Sequence, residues 1–591
     1  MEMNIFLCQS IQTQIELEEI ADVKRQIITP ATSRTIIGIV QDGLIGSYNL
    51  TSPNMRIDWK SAMNIMSYTS IDNFAAFKKD KEYTGYELFS MIIPPKINVT
   101  RIDKDKPEKT LIIKNGVLEK GYLSKDLLGS NKKNNLTQLI WDEYGVEDTK
   151  SFLDNTQRLM NNFNLFNGFT VGIGDTHVSK EVDKQIHTMF ETKDLDVAHR
   201  ITELENNPDL MDIELFERTL FAQLNIIRED VSKLLMANLA PTNNFNIMIS
   251  SGSKGIATNM GQIRGCVGLQ AFEGKLVPKK INRRSLPYFF RDDDRATARG
   301  LIKRSFLSGM TFPEFFFHNL TGREGLIDQA IKTAESGYIQ RKLIKSMEDI
   351  MIRYDGTTRT ATGSIVQFTY GDSGADTTKQ YEYNMKLIDM NNLDVAAKHK
   401  FTKDELANFK SYTTEMNENH YQQLLQFRDL LRDTQIKTRM NYITINTLFM
   451  LPVNLLRVID NVKNDPALKE KKDKLEPKYV LDKLDVILNN KYTNLAVMKK
   501  ADQDNKDAVK YKDDRVAKTA LMVALHDSLS PKRCIFDHQL NKTQFDAVLK
   551  DVADSFNKNL AEPGEMVGII AAQSLGEPTT QSFRLLLRLK S

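Results

Sequence analysis

A lysine within a glycine-rich segment is the first feature of the sequence that could bind a phosphate. The segment reads Ser251-Gly252-Ser253-Lys254-Gly255. Glycines leave backbone N–H groups accessible, and a single ammonium is a compact point charge that suits a triphosphate. The spacing does not match the GxxxxGK[ST] pattern of a P-loop, so the segment alone is weak evidence for a nucleotide site.

A second set of candidate residues lies on one face of a predicted helix. Thr333, Ala334 and Tyr338 follow one another at helical spacing. A stripe of small and aromatic residues is more often part of a core, but an exposed Tyr338 could stack on a nucleobase. The cations Arg341, Lys342 and Lys345 come next. They suit a solvated face or the end of a helix, and in a nucleic-acid channel they would contact backbone phosphates.

The densest run of carboxylates is Asp292-Asp293-Asp294, between Arg291 and Arg295. Adjacent residues of a loop point in different directions, so a solvated turn is the better interpretation than a metal site. The three cysteines at 8, 266 and 534 are too few and too scattered for a disulfide framework or a CxxC zinc site. This usage predicts a reducing compartment.

The helix that carries the second set is predicted to be long. Thr311 and Glu314 have capping-box spacing, and Pro313 suits the first turn. A helix from there to about residue 347 would be roughly 50 Å long at ~1.5 Å per residue. Its interior glycines each cost about 1 kcal/mol relative to alanine, which indicates close backbone approach or bending. They are Gly322, Gly325 and Gly337.

The other elements fall into regions of different pattern. Residues 26–175 are predicted to be mixed α/β, with a buried strand at 36–40, a hairpin turning at Asn115-Gly116, and a glycine-punctuated strand at 168–175. Residues 179–238 are predicted to form a helical hairpin capped by Ser179. Residues 243–310 look irregular. Residues 400–560 look mostly helical, with a polar stretch at 502–514.

Composition excludes several classes of protein. The chain has 591 residues, 41% of them hydrophobic, with 80 Lys and Arg against 77 Asp and Glu. At about 150 residues per domain, this length favours roughly four domains with ordinary cores. The balance excludes a strongly basic tail but allows a local basic channel. We find no apolar run near the ~18 residues of a membrane span and no signal peptide. A large intracellular multi-domain protein is expected.

Residues 315–341 resemble the bridge helix of the largest subunit of multisubunit DNA-directed RNA polymerases. Further resemblances follow in the family's order. They cover the pore domain (38–42, 84–94 and 172–175), the funnel helices (179–238), the loop after them (251–262 and 284–287), the cleft (451–454 and 531–534) and the helix before the trigger loop (563–581).

The resemblance implies an α+β multi-domain fold with a mixed α/β pore domain, a helical-hairpin funnel, a long bridge helix and a mostly helical cleft region. The expected domains are a pore domain at 1–178, a funnel domain at 179–305, and the bridge helix and cleft with the start of the trigger-loop region at 306–591. The first residues, Met1-Glu2-Met3-Asn4, resemble those that follow the family's catalytic aspartate loop. We therefore expect a central fragment of the subunit.

The resemblance also implies roles for single residues. Lys254 would face the triphosphate of the incoming nucleotide, and Gln581 would bind its ribose, although the sequence departs from the family directly after Gln581. On the bridge helix, the template-facing residues would be Thr333, Ala334, Gly337, Tyr338, Arg341 and Lys345. Leu269 stands where the family has glutamine, which puts the polar contacts beneath the helix in doubt. His318 is expected to be packed or hydrogen-bonded, with no acid or base role.

The implied cofactor is magnesium, with its ligands outside this chain, and no zinc site is expected. The implied partners are template DNA, product RNA, ribonucleoside triphosphates, the second-largest subunit, other polymerase subunits and the remaining pieces of the largest subunit, with no membrane. The isolated chain is expected to be inactive. The location would be the nucleus, or the host cytoplasm or virion if the source is viral. The alternative is a non-catalytic scaffold or interaction remnant of a split or interrupted polymerase gene.

Overall fold

The computed structural model describes residues 5–71, 74–102, 110–206, 213–409, 411–438, 446–469, 473–488 and 518–590. The chain divides into two compact units. Unit 1 comprises residues 1–28, 34–338 and 579–591, and unit 2 comprises residues 29–33 and 339–578. Both combine helices with small antiparallel sheets, so the chain is an α+β protein, as predicted. No helix within the described residues is long and apolar enough to cross a membrane.

Unit 1 begins with a helical region that encloses two small sheets. Its helices are Ile11–Glu19, Asp42–Leu50, Trp59–Met66, Gly85–Ser90, Lys125–Leu128, Leu136–Tyr144 and Val146–Asn167. One sheet pairs Arg56–Asp58 with Glu82–Thr84, and the other orders Val99–Arg101, Leu111–Lys114 and Val117–Lys120. Their apolar faces meet in a core around Leu50, Phe89 and Phe152.

The hairpin predicted at Asn115-Gly116 is confirmed. The strands Leu111–Lys114 and Val117–Lys120 pair across it. Asn115 has φ 48° and Gly116 has φ 77°. A type I′ turn requires positive φ at both positions, which is why Asn-Gly is favoured there.

Two predicted strands of this region are wrong. Residues 36–40 form no strand, although Ile39 is buried and its N–H donates to the Leu128 carbonyl at 2.9 Å. A Cβ at Gly38 would lie 2.5 Å from the backbone nitrogen of Ser130, so the chain passes too close to that loop for a side chain. Residues 168–175 are also not a strand and end in a short 3₁₀ helix, Ile173–Thr176.

The predicted helical hairpin consists of Lys180–Asn206 and Ile213–Asn238. Ser179 caps the first helix as expected, because its Oγ accepts from the Val182 N–H at 3.4 Å. Short elements follow, namely Asn244–Ser251, Ala257–Met260, a π-helical turn at Gly261–Gly265, and the paired strands Gly268–Leu269 and Leu301–Ile302. The helical hairpin and these short elements share one apolar core, which includes Val182, Leu224 and Val231.

A helix at Phe312–Met347, called the long helix below, confirms the predicted element. The helix belongs to unit 1 as far as Tyr338 and to unit 2 from Ile339. Unit 2 contains the sheet Met351–Ile352, Thr358–Arg359 and Ile365–Gln367, and the pair Tyr381–Asn384 with Leu448–Leu451. Its other helices are Asn392–His399, Lys403–Leu406, Thr414–Thr438, Leu455–Asn464, Pro466–Lys469, Pro477–Leu488, Thr519–Ser528, Lys542–Lys558 and the start of Val567–Lys590. Leu424, Val480 and Phe545 lie in its core. The predicted polar stretch at 502–514 lies outside the described residues.

Candidate functional site

The long helix begins at the predicted capping box. The Glu314 carboxylate accepts from the Thr311 N–H and from its hydroxyl, both at 2.8 Å. The other carboxylate oxygen of Glu314 accepts from the Lys303 N–H at 3.2 Å. The cap therefore satisfies a free donor of the first turn and also ties the start of the helix to the preceding loop.

Polar contacts attach the first half of the long helix to residues 270–273. Thr321 Oγ1 donates to the Ala271 carbonyl at 2.9 Å, and the Glu324 carboxylate accepts from the Glu273 N–H at 3.0 Å. His318 Nδ1 lies 3.3 Å from Gln270 Oε1, so the prediction of a hydrogen-bonded histidine is confirmed. Leu269 is buried in a strand, and Gln270 beside it makes the polar contact that the leucine cannot.

The candidate template-facing residues of the long helix are exposed. Only Phe317 and Ser336 are buried among its 36 residues. The side chains of Thr333, Ala334 and Tyr338 lie at the surface, so packing within a core does not account for their stripe. Thr333 Oγ1 donates to the Gln329 carbonyl at 2.8 Å, a bond within the helix itself.

The cations further along the helix are also exposed. Lys345 pairs with Glu348 at 3.0 Å, at a largely solvated site where such a pair contributes little. Arg341 makes no ion pair with any residue that the structure describes. Both cations are therefore available to an anionic partner.

The three glycines of the long helix lie in open space. A Cβ built at Gly322, Gly325 or Gly337 would have no heavy atom within 4 Å among the described neighbours. Close packing within this chain therefore does not explain them. Two explanations of these glycines remain. Either the helix needs them in order to bend, or a partner outside this chain comes close to the backbone there.

Lys254 projects from a tight turn at the end of the helix Asn244–Ser251. Gly252 and Gly255 both have positive φ, at 73° and 75°. A side chain at Gly252 would lie 2.5 Å from Cβ of Lys125, so glycine is needed there for space as well as conformation. Ser253 is buried and its Oγ donates to the Met248 carbonyl at 3.0 Å, which anchors the turn. Lys254 itself is exposed.

The predicted site residues are not all brought together. No hydrogen bond or ion pair among the described residues joins Lys254 to the long helix. Gln581 belongs to the final helix, but its side chain lies outside the described residues. The candidate site therefore consists of an exposed lysine turn and an exposed helix face.

Each carboxylate of the acidic run is paired with a cation. Asp292 pairs with Arg283 at 2.6 Å, Asp293 with Arg295 at 2.6 Å, and Asp294 with Lys279 at 2.7 Å. The Asp293 side chain is buried, so the predicted solvated turn is wrong for that residue. Within the described chain, no group of three His, Cys, Asp or Glu side chains could hold a metal ion. Because each carboxylate of the run is already paired with a cation, the run does not fit a magnesium ion, and the resemblance places the magnesium ligands outside this chain.

Sequence analysis missed a buried polar cluster in unit 2. Asp527 Oδ2 accepts from the Tyr383 hydroxyl at 3.0 Å, and Asp527 Oδ1 accepts from Lys398 Nζ at 3.0 Å. Arg533 Nη1 lies 3.6 Å from the same carboxylate. Burial alone would raise the pKa of Asp527, but neighbouring His399 and the charges of Lys398 and Arg533 lower it well below its usual range. Burial and the Asp527 charge raise the pKa of Tyr383.

In this cluster a histidine lies between a serine and an aspartate and contacts both. His399 Nδ1 lies 2.9 Å from Ser530 Oγ, and His399 Nε2 lies 3.3 Å from Asp527 Oδ1. Nucleophilic catalysis would need an accessible hydroxyl, whereas Ser530 has no exposed surface. The cluster is therefore not a candidate for nucleophilic catalysis. The partners are 131 residues apart in the chain, so no local spacing could have revealed them.

Comparisons with known proteins give a consistent result along the chain. Residues 26–176 match the family model described as RNA polymerase Rpb1, domain 3, and residues 195–302 match Rpb1, domain 4. Residues 309–584 match RNA polymerase Rpb1, domain 5. The three matches follow the chain in the order of the family's domain numbers.

The chain is also similar to a curated viral protein. It is 37% identical over 594 residues to DNA-directed RNA polymerase subunit 1 of Acanthamoeba polyphaga mimivirus. The match covers 98% of this chain and 39% of that protein. The chain therefore spans about two fifths of the length of this relative.

Proposed function

Because the chain belongs to the Rpb1 family of RNA polymerase largest subunits, we propose that it supplies the nucleotide-entry route and the template-facing helix of a DNA-directed RNA polymerase. In this proposal residues 1–178 form the pore domain and 179–305 the funnel. Residues 306–591 form the bridge helix and cleft. Template DNA, product RNA, ribonucleoside triphosphates and the second-largest subunit are the proposed partners.

The observation that carries the proposal is the exposure of the long helix. A helix gains most of its stability in a protein from burying an apolar face, yet this one buries two of its 36 side chains. Apolar residues such as Leu326 and Ile331 are exposed on the same helix that carries the exposed cations Arg341 and Lys345. This combination suits a helix that passes between nucleic acid and other protein. In an aqueous channel, Tyr338 would stack on a base while the cations position template phosphates.

Lys254 is proposed to contact the triphosphate of the incoming nucleotide. The hydrogen bond from Ser253 to the Met248 carbonyl anchors the turn, and the side chain of Lys254 is left exposed to solvent. A mobile ammonium on a fixed turn can follow a phosphate group without being neutralised by a neighbour. The magnesium that nucleotidyl transfer uses would be held by residues other than those described here.

The test compares two sets of variants in the assembled polymerase, measured at one fixed template position. Lys254→Ala should lower the apparent affinity for nucleotide about 10- to 150-fold, since a hydrogen bond to a charged group contributes ~1.5–3 kcal/mol. It should leave template binding unchanged. The double variant Arg341→Ala with Lys345→Ala should instead weaken template binding and reduce the salt slope by about two.

Lys120→Ala is the matched control, because Lys120 is an exposed lysine of unit 1 on a strand outside the proposed site. It should change neither quantity. An unaltered nucleotide affinity in Lys254→Ala would remove Lys254 from the site. A preserved salt slope in the double variant would argue against template contact by the long helix.

A further inference from the structure

The short strand Leu301–Ile302 is attached to the helical hairpin at both of its ends. Arg299 lies just before the strand, and its Nη2 donates to the Glu217 carboxylate on the second helix of the hairpin. Lys303 follows the strand directly, and its ammonium pairs with Asp194 on the first helix. Both residues of the strand are buried. Each helix of the hairpin therefore holds one end of this strand.

Arg299 is a cation with almost no exposed surface. Its side chain is 2% exposed, and its other terminal nitrogen, Nη1, lies 3.7 Å from Asp294 Oδ1. The planar guanidinium thus contacts one carboxylate with each arm, a geometry that the single ammonium of lysine cannot reproduce. A buried charge is costly unless its partners are well placed. The place of Arg299 between Glu217 and Asp294 is therefore closely defined.

Lys303 contacts the hairpin with its side chain and the long helix with its backbone. The ammonium pairs with Asp194, while the N–H of Lys303 donates to the Glu314 carboxylate at 3.2 Å. Glu314 also accepts from the Thr311 N–H and so caps the long helix. One residue therefore joins the first helix of the hairpin to the first turn of the long helix. Residues 270–273 contact the helix farther along.

The turn that carries Lys254 is attached to the same hairpin. The segment directly after the turn packs closely on the second helix, because a Cβ at Gly261 would lie 2.1 Å from Ser232 Oγ. Arg264 of that segment pairs with Asp183 on the first helix at 2.5 Å. The hairpin thus connects the two parts of the candidate site, the lysine turn and the start of the long helix. Their separation therefore depends on the contacts that hold each part to the hairpin.

We propose that Arg299 and Lys303 are positioning residues for nucleotide addition, which hold the long helix at a fixed place relative to the turn of Lys254. The proposal rests on the proposed function, in which the turn contacts the triphosphate and the helix contacts the template. Neither residue touches the nucleotide, since both act through the hairpin and the helix cap. Misplacing reacting groups by about 1 Å can lower a rate about 100-fold, so ion pairs remote from the reaction can set its speed.

Lys303→Met in the assembled polymerase tests the proposal, because methionine keeps much of the length of the side chain and removes its charge. The rate of one nucleotide addition, measured in a single turnover on stalled complexes, should fall about tenfold. The apparent affinity for nucleotide should change less than about threefold, since Lys254 and its turn stay intact. A single-turnover rate counts only assembled complexes, so poorer folding alone would leave it unaltered. Lys303→Arg keeps the charge and should retain the rate.

A double-mutant cycle with Asp194 assigns the effect to the ion pair. Asp194→Asn should lower the rate as much as Lys303→Met does, and the two substitutions together should cost no more than either alone, because both remove one interaction. Asp196→Asn is the matched control, since Asp196 lies on the same helix and pairs with Lys193 of that helix at 4.0 Å. It should leave the rate unchanged. Arg299→Lys, which keeps the charge but loses one arm, should also slow addition.

Hydrogen exchange of the full chain alone gives a readout that does not depend on polymerase activity. Lys303→Met should speed exchange of the amides at residues 315–321 of the long helix, and Asp196→Asn should not. Unchanged exchange there, an unchanged addition rate in Lys303→Met, or additive effects in the cycle would each overturn the inference. A failure of the proposed function looks different, because Lys254→Ala would then leave nucleotide affinity unaltered while the exchange result stands.

Discussion

Asp527 shows how much a single buried charge depends on its partners. Its carboxylate has almost no exposed surface and is contacted by Tyr383, Lys398 and Arg533. Removing one member of a buried charge pair leaves the other charge without compensation, which costs more than the pair itself contributes. The stability of unit 2 should therefore depend strongly on the charge of Asp527.

Asp527→Asn should lower the free energy of unfolding of unit 2 by about 3–5 kcal/mol, because Lys398 would lose its counter-charge and Arg533 would lose the more buried of its two acidic partners. Urea denaturation of the full chain, followed by hydrogen exchange in the helix Thr519–Ser528, measures this. Asp537→Asn is the matched control, since Asp537 also pairs with Arg533 but is 57% exposed. Its effect should stay within about 1 kcal/mol. Equal effects of the two substitutions would contradict the role assigned to burial.

At the scale of elements, the glycines of the long helix differ from the glycine where the final helix starts. A Cβ at Gly337 would meet nothing within 4 Å, whereas a Cβ at Gly568 would lie 1.9 Å from the Met347 carbonyl oxygen. Gly568 also donates its N–H to the Ile350 carbonyl at 3.1 Å. Gly568 is thus required by close packing, and Gly337 is not required by any contact within the described chain.

Gly337→Ala should stabilise the long helix by about 1 kcal/mol, because alanine has the higher helix propensity and no neighbour is displaced. If the glycine serves bending during translocation, the same substitution should slow elongation by the assembled polymerase. Thermal melting of this chain and the elongation rate of the complex measure the two effects.

Gly568→Ala should destabilise the chain, because the backbone oxygen of Met347 cannot move aside as a flexible side chain would. This variant is the control for the melting experiment with Gly337→Ala. A stabilised Gly337→Ala variant with unchanged elongation would mean that the glycine serves no motion.

At the scale of the whole molecule, buried histidines couple the stability of unit 2 to pH. His420 is buried beside His526, with 6.1 Å between the ring centroids. Burial, with smaller contributions from His526 and His399, lowers the pKa of His420 to about 3. Burial also lowers the pKa of His399, against the opposing influence of Asp527. Both histidines are therefore neutral in the folded protein at neutral pH.

The free energy of unfolding should fall as the pH drops below about 6.5, because the unfolded chain then binds protons that the folded histidines do not. Each such histidine contributes up to ~1.4 kcal/mol per pH unit. The carboxyl of Asp527, whose folded pKa is lowered, should add its own loss only below about pH 4. Denaturation between about pH 7 and pH 4.5 covers the range in which the histidines contribute, and comparison with a histidine variant separates them from Asp551 and Glu565, whose folded pKa values are raised by burial.

His420→Phe should reduce this slope by about the contribution of one histidine. His187→Phe is the control, since His187 is exposed, and it should leave the slope unchanged. Superimposable pH profiles of His420→Phe and the unaltered chain would show that His420 is not the group that titrates.

The sequence by itself determined the elements whose signals act over a few residues. The capping box at Thr311 and Glu314 predicted the start of the long helix, and the Asn115-Gly116 turn predicted the hairpin with its strands. Ser179 marked the first helix of the helical hairpin. These signals succeed because caps and turns satisfy backbone groups within one turn of the chain, whatever the rest of the fold does.

Only the tertiary structure decided what depends on residues far apart. It made residues 36–40 a non-strand segment, since the loop at Ser130 passes within reach of Gly38. It paired Asp292, Asp293 and Asp294 with cations, and it exposed the stripe of Thr333, Ala334 and Tyr338 that the sequence alone would place in a core. It also assembled the cluster around Asp527. Burial and charge pairing are properties of surfaces that meet in space, and a sequence pattern carries no record of which surfaces those are.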